Sequence, residues 1–410
     1  MLHFLRHNAR WIGGGFLLTF LSSFGQTFFI SLSSAEIRAE FALSHGEFGA
    51  IYMFATLASA ATLPFLGRIV DSMSVKATVM LVVPALAAAC LAFGLVVNVT
   101  MLVVVVFALR LLGQGMMTHI AITAMGRWFE AQRGRAVSIV SLGHQAGEMS
   151  LPLIFAGIVA WGLEWREIWF GCAVVLGLVG LPAAMRLLAV DRTPGTAENG
   201  TAGERPGSWT VSAVMRDPWF WIAMTGVLAP AFIGTTIFFH QDYLVERNGW
   251  SPLAFASGFA LLGVMTITAG LFAGVVVDRV GAVRLLPVFP VPLALSCFAL
   301  ANPGGEVTII LMFGLLGTSY GISQTLFGAL WPEVYGTRHL GAIRSTVVAM
   351  MVFATAAGPG VTGWLIDAGI PLEVQIGWAG AYCLVMAIVL ALASRAFGGR
   401  RGVAVRAEAT

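Results

Sequence analysis

The chain has 410 residues, of which 58% are hydrophobic and only 10% are charged. Soluble globular domains usually have about a quarter of their residues charged, so this composition excludes such a domain and predicts an integral membrane protein. The 23 basic and 20 acidic residues nearly balance, and net charge therefore gives no reason to expect nucleic acid as a partner.

Twelve apolar stretches of membrane-crossing length follow one another along the chain. A hydrocarbon core of roughly 30 Å takes about 20 apolar residues in a helix to cross. The sequence therefore predicts an all-α membrane protein with twelve transmembrane helices and no soluble domain. The predicted spans are 11–35, 46–67, 77–97, 100–126, 136–161, 167–189, 218–243, 253–276, 283–301, 306–331, 342–366 and 376–397.

The only long polar insert lies near the middle of the chain and is rich in glycine and proline, the composition of a flexible linker. If the N-terminus is cytoplasmic, 19 of the 23 Lys and Arg residues fall on the cytoplasmic side, as the positive-inside rule requires. Both termini are then cytoplasmic. The predicted domains are an N-terminal six-helix bundle (1–189), a cytoplasmic linker (190–216), a C-terminal six-helix bundle (217–397) and a cytoplasmic tail (398–410).

The two halves of the chain repeat each other. Gly67 lies at the end of span 2 and is followed by Asp71, and Gly274 lies at the end of span 8 and is followed by Asp278, at an offset of 207 residues. Two further pairs of residues, one of glycine and one of proline, share this offset. The repeat predicts a parallel duplication, with halves related by an axis along the membrane normal.

Six plus six spans, a central linker and a Gly-x-x-x-Asp loop after spans 2 and 8 resemble the major facilitator superfamily of secondary transporters. In that family the loop tethers neighbouring helices on the cytoplasmic face while the bundles rock. The resemblance implies gating roles for Gly67, Asp71, Gly274, Asp278 and Arg279. The first loop departs from the family pattern, because serines replace the expected Arg and Gly after Asp71.

Further segments resemble particular branches of this superfamily. RLLGQG, from Arg110 to Gly115 in span 4, is similar to a motif linked to proton coupling. FFHQ, ending at Gln241, and WPEVYGTRHLGAIRS, starting at Trp331, look like the prokaryotic oxalate/formate and monocarboxylate-transporter-like branch. A basic residue expected in span 8 of monocarboxylate carriers is missing between Pro252 and Val277, which weakens that assignment.

Away from the span ends, Arg110 and Glu148 are the only formally charged residues inside the predicted spans. A charge at the bilayer centre costs at least about 2.5 kcal/mol, so such residues usually face a cavity and find a partner. The rise of a helix places both near mid-membrane. We expect them to face each other or a central cavity, with Glu148 as the proton-titrating acid and Arg110 as the cation for an anionic substrate. The alternative is a static pair that locks spans 4 and 5.

Other embedded polar residues are candidates for substrate binding or proton coupling. His144 lies four residues before Glu148, on the same helical face as Gln145 and Glu148. Each histidine could instead serve only as a hydrogen bonder between helices. Asp242 and Tyr243, near the outer end of span 7, fit an interfacial belt or a gate. The remaining candidates are His119, His240, Gln241, Gln26, Gln114, Tyr320 and Gln324.

Enzyme and channel motifs are not visible. The sequence has no phosphate-binding GxxxxGK[ST] loop, HExxH pair or filter-like loop. It predicts a monomeric, multi-pass protein of the bacterial inner membrane that needs no cofactor or metal. The predicted function is proton-coupled import of a small, monocarboxylate-like organic anion by alternating access. The alternatives are an exporter of a toxic compound or drug, and uptake of a larger aromatic nutrient such as a vitamin.

Overall fold

The computed structural model describes residues 2–67, 73–129, 132–190, 192, 209–336 and 339–407. Within these ranges every regular element is helical and no strand occurs, so the predicted all-α class is confirmed. The chain divides into two compact units. Unit 1 consists of Met1–Thr201 and Phe238–Tyr243, and unit 2 of Ala202–Ile237 and Leu244–Thr410.

Unit 1 is built from ten α-helices, with short 3-10 and π-helical segments between some of them, in the described residues. The α-helices are α1 (Leu2–Leu21), α2 (Thr27–Ile30), α3 (Ser34–Phe41), α4 (His45–Leu66), α5 (Val75–Gly94), α6 (Val99–Leu109), α7 (Thr118–Trp128), α8 (Arg133–Ala160), α9 (Trp165–Val174) and α10 (Leu181–Leu187). The 3-10 segments are Ser22–Gly25 and Ser31–Ser33, and the π-helical segments are Arg110–Met117 and Val175–Gly180.

The second half of the chain contributes nine more α-helices to the described structure. These are α11 (Val211–Met215), α12 (Pro218–Phe239), α13 (Gln241–Asn248), α14 (Pro252–Val280), α15 (Ala282–Leu285), α16 (Pro290–Ala301), α17 (Val307–Tyr335), α18 (Leu340–Asp367) and α19 (Leu372–Ala407). The predicted span 218–243 is thus interrupted at His240, which lies between α12 and α13.

Among the described residues, ten helices are long and apolar enough to cross a membrane, and a bent pair brings the number to eleven. Helix α8 occupies the place of predicted span 5 and is long enough, but it is too polar on average to be counted. A helix therefore lies at each predicted place, while the count of twelve crossings stays a prediction. The chain is a multi-pass membrane protein by these criteria.

Helix 1, meaning α1 to α3, is broken rather than continuous as the sequence predicted. The helix is interrupted at Ser22–Gly25, and Gln26 is extended, with φ −88° and ψ 156°. The two parts, Arg6–Gly25 and Thr27–Phe41, meet at 47°. Serine and glycine are weak helix formers, since serine competes for backbone hydrogen bonds and glycine loses more entropy. We call Ser22–Gln26 the helix-1 break.

Local sequence signals set several helix starts in unit 1. Ser44 and Glu47 form a capping box at the start of α4, with the Glu47 amide 3.1 Å from the Ser44 hydroxyl. The Asn98 side chain accepts from the Met101 amide at 2.9 Å at the start of α6. These contacts satisfy amide groups that have no partner within the helix.

Aromatic side chains fill the interior of each unit. In unit 1 the Trp169 ring packs 5.1 Å from Phe29 and 4.4 Å from Phe93, and its indole N–H donates to Ser33 Oγ at 3.0 Å. In unit 2, Phe220 lies 5.5 Å from Trp331 within a buried apolar cluster. Each unit therefore has a core of its own.

Large apolar side chains also cover much of the outer surface. Phe65, Leu271, Phe272 and Ile388 are all more than 60% exposed. An apolar surface of this extent is a liability in water and is normal where a helix faces lipid. The exposed faces thus agree with a membrane-embedded protein.

Candidate functional site

The Arg110 side chain is buried inside unit 1 and is 1% exposed. It begins the π-helical segment Arg110–Met117, a rare helix type that often marks functional sites. Its Nε donates to the Thr56 hydroxyl at 3.1 Å, and its Nη1 donates to the Gly25 carbonyl at 3.1 Å. Gly25 lies in the helix-1 break, so the guanidinium bonds a carbonyl beside the interrupted helix.

Tyr52 supports Arg110 from α4. The guanidinium carbon lies 5.1 Å from the centre of the Tyr52 ring, which fits a cation–π contact. The Tyr52 hydroxyl is 2.6 Å from the hydroxyl of Thr27, the first residue after the helix-1 break. Arg110 is therefore held between α4 and both sides of the break.

None of these partners of Arg110 carries a charge. In the described part of the chain, no carboxylate forms an ion pair with Arg110. Its Nη2 is buried and has no hydrogen-bond partner. Arg110 is thus a buried cation with one unpaired donor group, and in the described residues it forms no ion pair with Glu148.

Glu148 lies on α8 and is 5% exposed. Within the described residues its carboxylate makes no hydrogen bond and no ion pair. Its neighbour Gly147 packs against Ser23 in the helix-1 break, where an added Cβ would lie 2.9 Å from the Ser23 Cβ. Glu148 is therefore a second buried, uncompensated ionisable group in unit 1.

His144 shares one face of α8 with Glu148, as predicted. Its ring centre is 6.1 Å from that of Phe28, just beyond the helix-1 break, and its Nδ1 is buried without a partner. Further along the same face, Phe155 lies 5.9 Å from Phe29. Glu148 lies between His144 and Phe155 in sequence at helical spacing, so this face of α8 is directed at α2.

The other polar candidates of unit 1 differ in burial and in position. Gln145 is buried in α8, whereas Gln26 and Gln114 are half-buried. His119 packs against Gly67, where an added Cβ would be 3.1 Å from the His119 Nε2. The structure thus places His119 beside Gly67, a predicted gating residue, and shows no hydrogen bond between His119 and Arg110 in the described residues.

His240 and Gln241 belong to the short piece of the second half of the chain that is part of unit 1. The Gln241 amide donates to the Phe28 carbonyl at 3.1 Å and to the Ser31 hydroxyl at 2.8 Å. The buried His240 ring lies 5.9 Å from His45. Gln241 therefore packs against residues beyond the helix-1 break, and His240 packs near the start of α4.

Next to these residues, Asp242 and Tyr243 also make contacts within unit 1. Asp242 pairs with Arg38 at 2.6 Å, and the Tyr243 ring lies 5.2 Å from His45. These contacts fit the predicted gate at least as well as an aromatic belt.

Tyr320 and Gln324 lie in unit 2, on α17. The Tyr320 hydroxyl donates to the Pro230 carbonyl at 3.2 Å and occupies the space above Gly234. Gln324 is exposed. Within unit 2, Tyr320 thus contacts α12, and its role in substrate binding stays a prediction.

The predicted gating loops are only partly described. Asp71 lies outside the described residues, while Asp278 and Arg279 are exposed at the end of α14. After them, the Glu333 carboxylate accepts from the Ala282 amide at 2.6 Å and the Val283 amide at 3.2 Å. The sequence pattern does not predict this carboxylate cap, although Glu333 lies in the segment WPEVYGTRHLGAIRS.

Sequence reasoning also missed the supporting residues Tyr52, Thr56, Thr27 and Gly25. A signal for two of them exists in the sequence. Tyr52, Thr56 and Ser59 recur along the apolar helix α4 at intervals of four and three residues, which places them on one face, and all three are buried.

In the described ranges no group of three or more His, Cys, Asp or Glu side chains is placed to hold a metal ion. What the site offers is one buried cation, one buried carboxyl group and neutral hydrogen-bonding groups around a helix break.

Comparison with known proteins places these features in a family. The family model described as "Major Facilitator Superfamily" matches residues 15–359. A curated relative, the oxalate:formate antiporter of Oxalobacter formigenes, is 22% identical over 278 residues. That alignment covers 66% of this chain and 63% of the antiporter, so it spans less than two thirds of the relative's length.

Solved structures of transporters have the same fold. A bacterial homologue of the human lysosomal transporter Spinster, inward-facing and unoccupied, matches with a TM-score of 0.70 at 16% identity, over 95% of this chain and 97% of that one. A point mutant of the peptide transporter POT matches with a TM-score of 0.68 at 15% identity, over 94% of each chain. The family match extends over most of the chain, and its relatives are transporters rather than enzymes. This chain belongs to the Major Facilitator Superfamily of membrane transporters.

Proposed function

We propose that this transporter imports a small, monocarboxylate-like organic anion together with protons, by alternating access. Its proposed setting is the inner membrane of a bacterial cell, where it acts as a monomer. The observation that supports this proposal is the pair of buried, opposite ionisable groups, Arg110 and Glu148, neither of which has a charged partner in the described residues.

The anion would bind at Arg110. A buried guanidinium surrounded only by neutral acceptors lacks the compensation that a counter-ion provides. An anion that reaches Nη2 supplies both the missing acceptor and the missing charge, and charge-assisted hydrogen bonds of this kind are stronger than neutral ones. The hydrogen bonds to Thr56 and Gly25 fix the guanidinium, while Nη2 has no hydrogen-bond partner.

Glu148 would carry the proton. A carboxyl group without a partner is far easier to bury when it is protonated, because the neutral form avoids most of the cost of leaving water. Loading Glu148 with a proton and Arg110 with a monoanion adds no net charge to unit 1. The proton and the anion would then cross the membrane together without a net charge being buried.

The number of cations favours a substrate with a single carboxylate. Arg110 is the only Lys or Arg away from the ends of the predicted spans, and it offers one open donor group. The second carboxylate of a dicarboxylate would have no further Lys or Arg from the predicted spans to pair with. A monocarboxylate such as formate matches the site better on this count than oxalate does.

Anion exchange is a second candidate, because the curated relative is an oxalate:formate antiporter. An exchanger returns to the opposite side with a counter-anion on Arg110 and needs no proton on Glu148. Exchange and proton-coupled import therefore differ in whether Glu148 is essential.

Uptake into proteoliposomes tests the proposal. Radiolabelled formate and oxalate would be offered with the outside acidified, and the protein would be compared with Arg110→Gln and Glu148→Gln. Proton-coupled import predicts uphill formate uptake that both substitutions abolish. Exchange predicts uptake only against internal anion, unaffected by Glu148→Gln. If proteoliposomes that hold the protein in the opposite orientation accumulate a cationic dye and no anion is taken up, both import and exchange are contradicted and a drug exporter is favoured.

The matched control is Arg247→Gln. Arg247 is a 58% exposed arginine whose nearest carboxylate oxygen, on Glu373, is 3.8 Å away. An exposed ion pair contributes little, so this substitution should leave uptake unchanged while removing the same charge as Arg110→Gln does.

A further inference from the structure

The backbone of the helix-1 break contacts the backbone of the π-helical segment that begins at Arg110. A Cβ added to Gly113, in the π-helical segment, would lie 2.6 Å from the Gly25 Cα, and one added to Gly25 would lie 2.7 Å from the Gly113 Cα. Only glycine permits such an approach. The Arg110 side chain joins the same two segments, because it donates a hydrogen bond to the Gly25 carbonyl.

The break also touches the helix that carries Glu148. Gly147 packs on Ser23, whose hydroxyl is buried without a hydrogen-bond partner. Just beyond the break, Phe28 and Phe29 contact the face of α8 on which Glu148 lies, through His144 and Phe155. One irregular segment therefore adjoins both ionisable groups, although these groups do not pair with each other.

We propose that the helix-1 break couples anion binding at Arg110 to protonation of Glu148, with Ser23 and Gly25 as positioning residues. This inference rests on the proposed function. An anion on Nη2 neutralises the guanidinium and so weakens, without replacing, the charge-assisted hydrogen bond from Nη1 to the Gly25 carbonyl, which changes the stability of the break. Protonation of Glu148 removes a charge beside α2. Both events bias the same two-state element, which is the physical requirement for coupling between separate sites.

Amide hydrogen exchange tests this coupling without any ligand. Protection factors for peptides covering residues 22–30 would be measured at pH 6 and 9.5, after correction for the intrinsic exchange rate. The full-length protein should show a change of about fivefold or more, the lower end of typical coupling between sites. Glu148→Gln, which mimics the protonated acid, should remove this pH dependence. Peptides from α5 serve as the internal control.

Glycine substitutions with matched controls separate coupling from general damage. Gly113→Ala forces the break away from the π-helical segment, whereas Gly126→Ala, in the same predicted span, meets no atom within 4 Å. Gly113→Ala should remove the pH response of residues 22–30, and Gly126→Ala should keep it. If Gly113→Ala fails to fold, Gly147→Ala and its control Gly157→Ala, which also has open space, make the same comparison on α8.

The outcomes distinguish this inference from the proposed function. If residues 22–30 show the same protection at both pH values, or if Glu148→Gln leaves their response intact, the coupling role of the break is overturned. Uptake that still depends on Arg110 and Glu148 would then leave the proposed function standing. If uptake depends on neither residue, the proposed function fails whatever the exchange data show.

Discussion

The Gly25 carbonyl accepts a hydrogen bond of 3.1 Å from Arg110 Nη1 beside the point where helix 1 breaks. Helix breaks in a membrane are tolerated only where their backbone groups find other partners, because lipid offers none. Arg110 supplies such a partner and still keeps Nη2 open. The same side chain therefore stabilises the break and presents a cation to the interior of unit 1.

Replacing Arg110 by lysine should weaken anion binding about tenfold or more. Lysine keeps the charge, but its single ammonium cannot hold Thr56 and Gly25 while it also offers an open donor group, and hydrogen bonds to charged groups contribute about 1.5–3 kcal/mol. Thermal shift of the purified protein against a series of formate concentrations measures the effect. Unchanged affinity in Arg110→Lys would show that a point charge is sufficient and that the forked geometry is irrelevant.

Tyr52→Phe should have a milder effect than Arg110→Lys. It removes the 2.6 Å contact with Thr27 but keeps the ring beneath the guanidinium, so a loss of about 1 kcal/mol, or about fivefold in affinity, is expected. Tyr52→Leu removes the ring as well and should cost more. The same formate titration compares them, and equal effects of the two variants would contradict the cation–π contribution.

The two equivalent loop glycines should differ in their tolerance of alanine. At Gly67 an added Cβ lies 2.8 Å from the Leu63 carbonyl and 3.1 Å from His119, whereas at Gly274 the nearest atom, on Thr325, is 3.9 Å away. Gly67→Ala should therefore reduce the transport rate several-fold and Gly274→Ala should not. Initial uptake rates at equal reconstituted protein decide this. A larger loss in Gly274→Ala would mean that space at these positions does not control transport.

Trp169 should be among the most important residues for the stability of unit 1. It is fully buried, packs on two aromatic rings and donates to Ser33. Trp169→Ala should destabilise the protein by about 3–5 kcal/mol, as buried large-to-small changes do. Trp161→Ala is the control, since Trp161 is 87% exposed. Thermal unfolding in detergent compares them, and similar midpoints for both variants would refute this assignment of the core.

Composition and hydropathy predict the helical membrane fold because the thickness of the bilayer fixes the length of each span. They do not predict the break in helix 1. Ser22, Ser23 and Gly25 are small enough to lie in an apolar span, and their low helix propensity becomes decisive only when a neighbouring group such as Arg110 donates a hydrogen bond to the interrupted backbone.

The candidate site was only half predictable for a related reason. Arg110 and Glu148 stand out in the sequence because charges are rare in spans. Which residues face them depends on helix rotation, and the pattern of apolar residues carries little information about rotation when every face of a helix is apolar. Hence Gly25 and Thr56, the acceptors for Arg110, went unpredicted, and the pairing of Arg110 with Glu148 remained open until the contacts were known.

Counting the protons taken up when the anion binds tests the central claim most directly. Calorimetric titration of formate in buffers of different ionisation enthalpy gives this number for the wild-type protein and for Glu148→Gln. If Glu148 carries the coupled proton, the wild type should take up close to one proton per bound anion at an alkaline pH where Glu148 is charged in the free protein, and Glu148→Gln should still bind formate but take up none. Proton uptake that is the same in both proteins, or formate binding that survives Arg110→Gln, would contradict the assignment of these two residues.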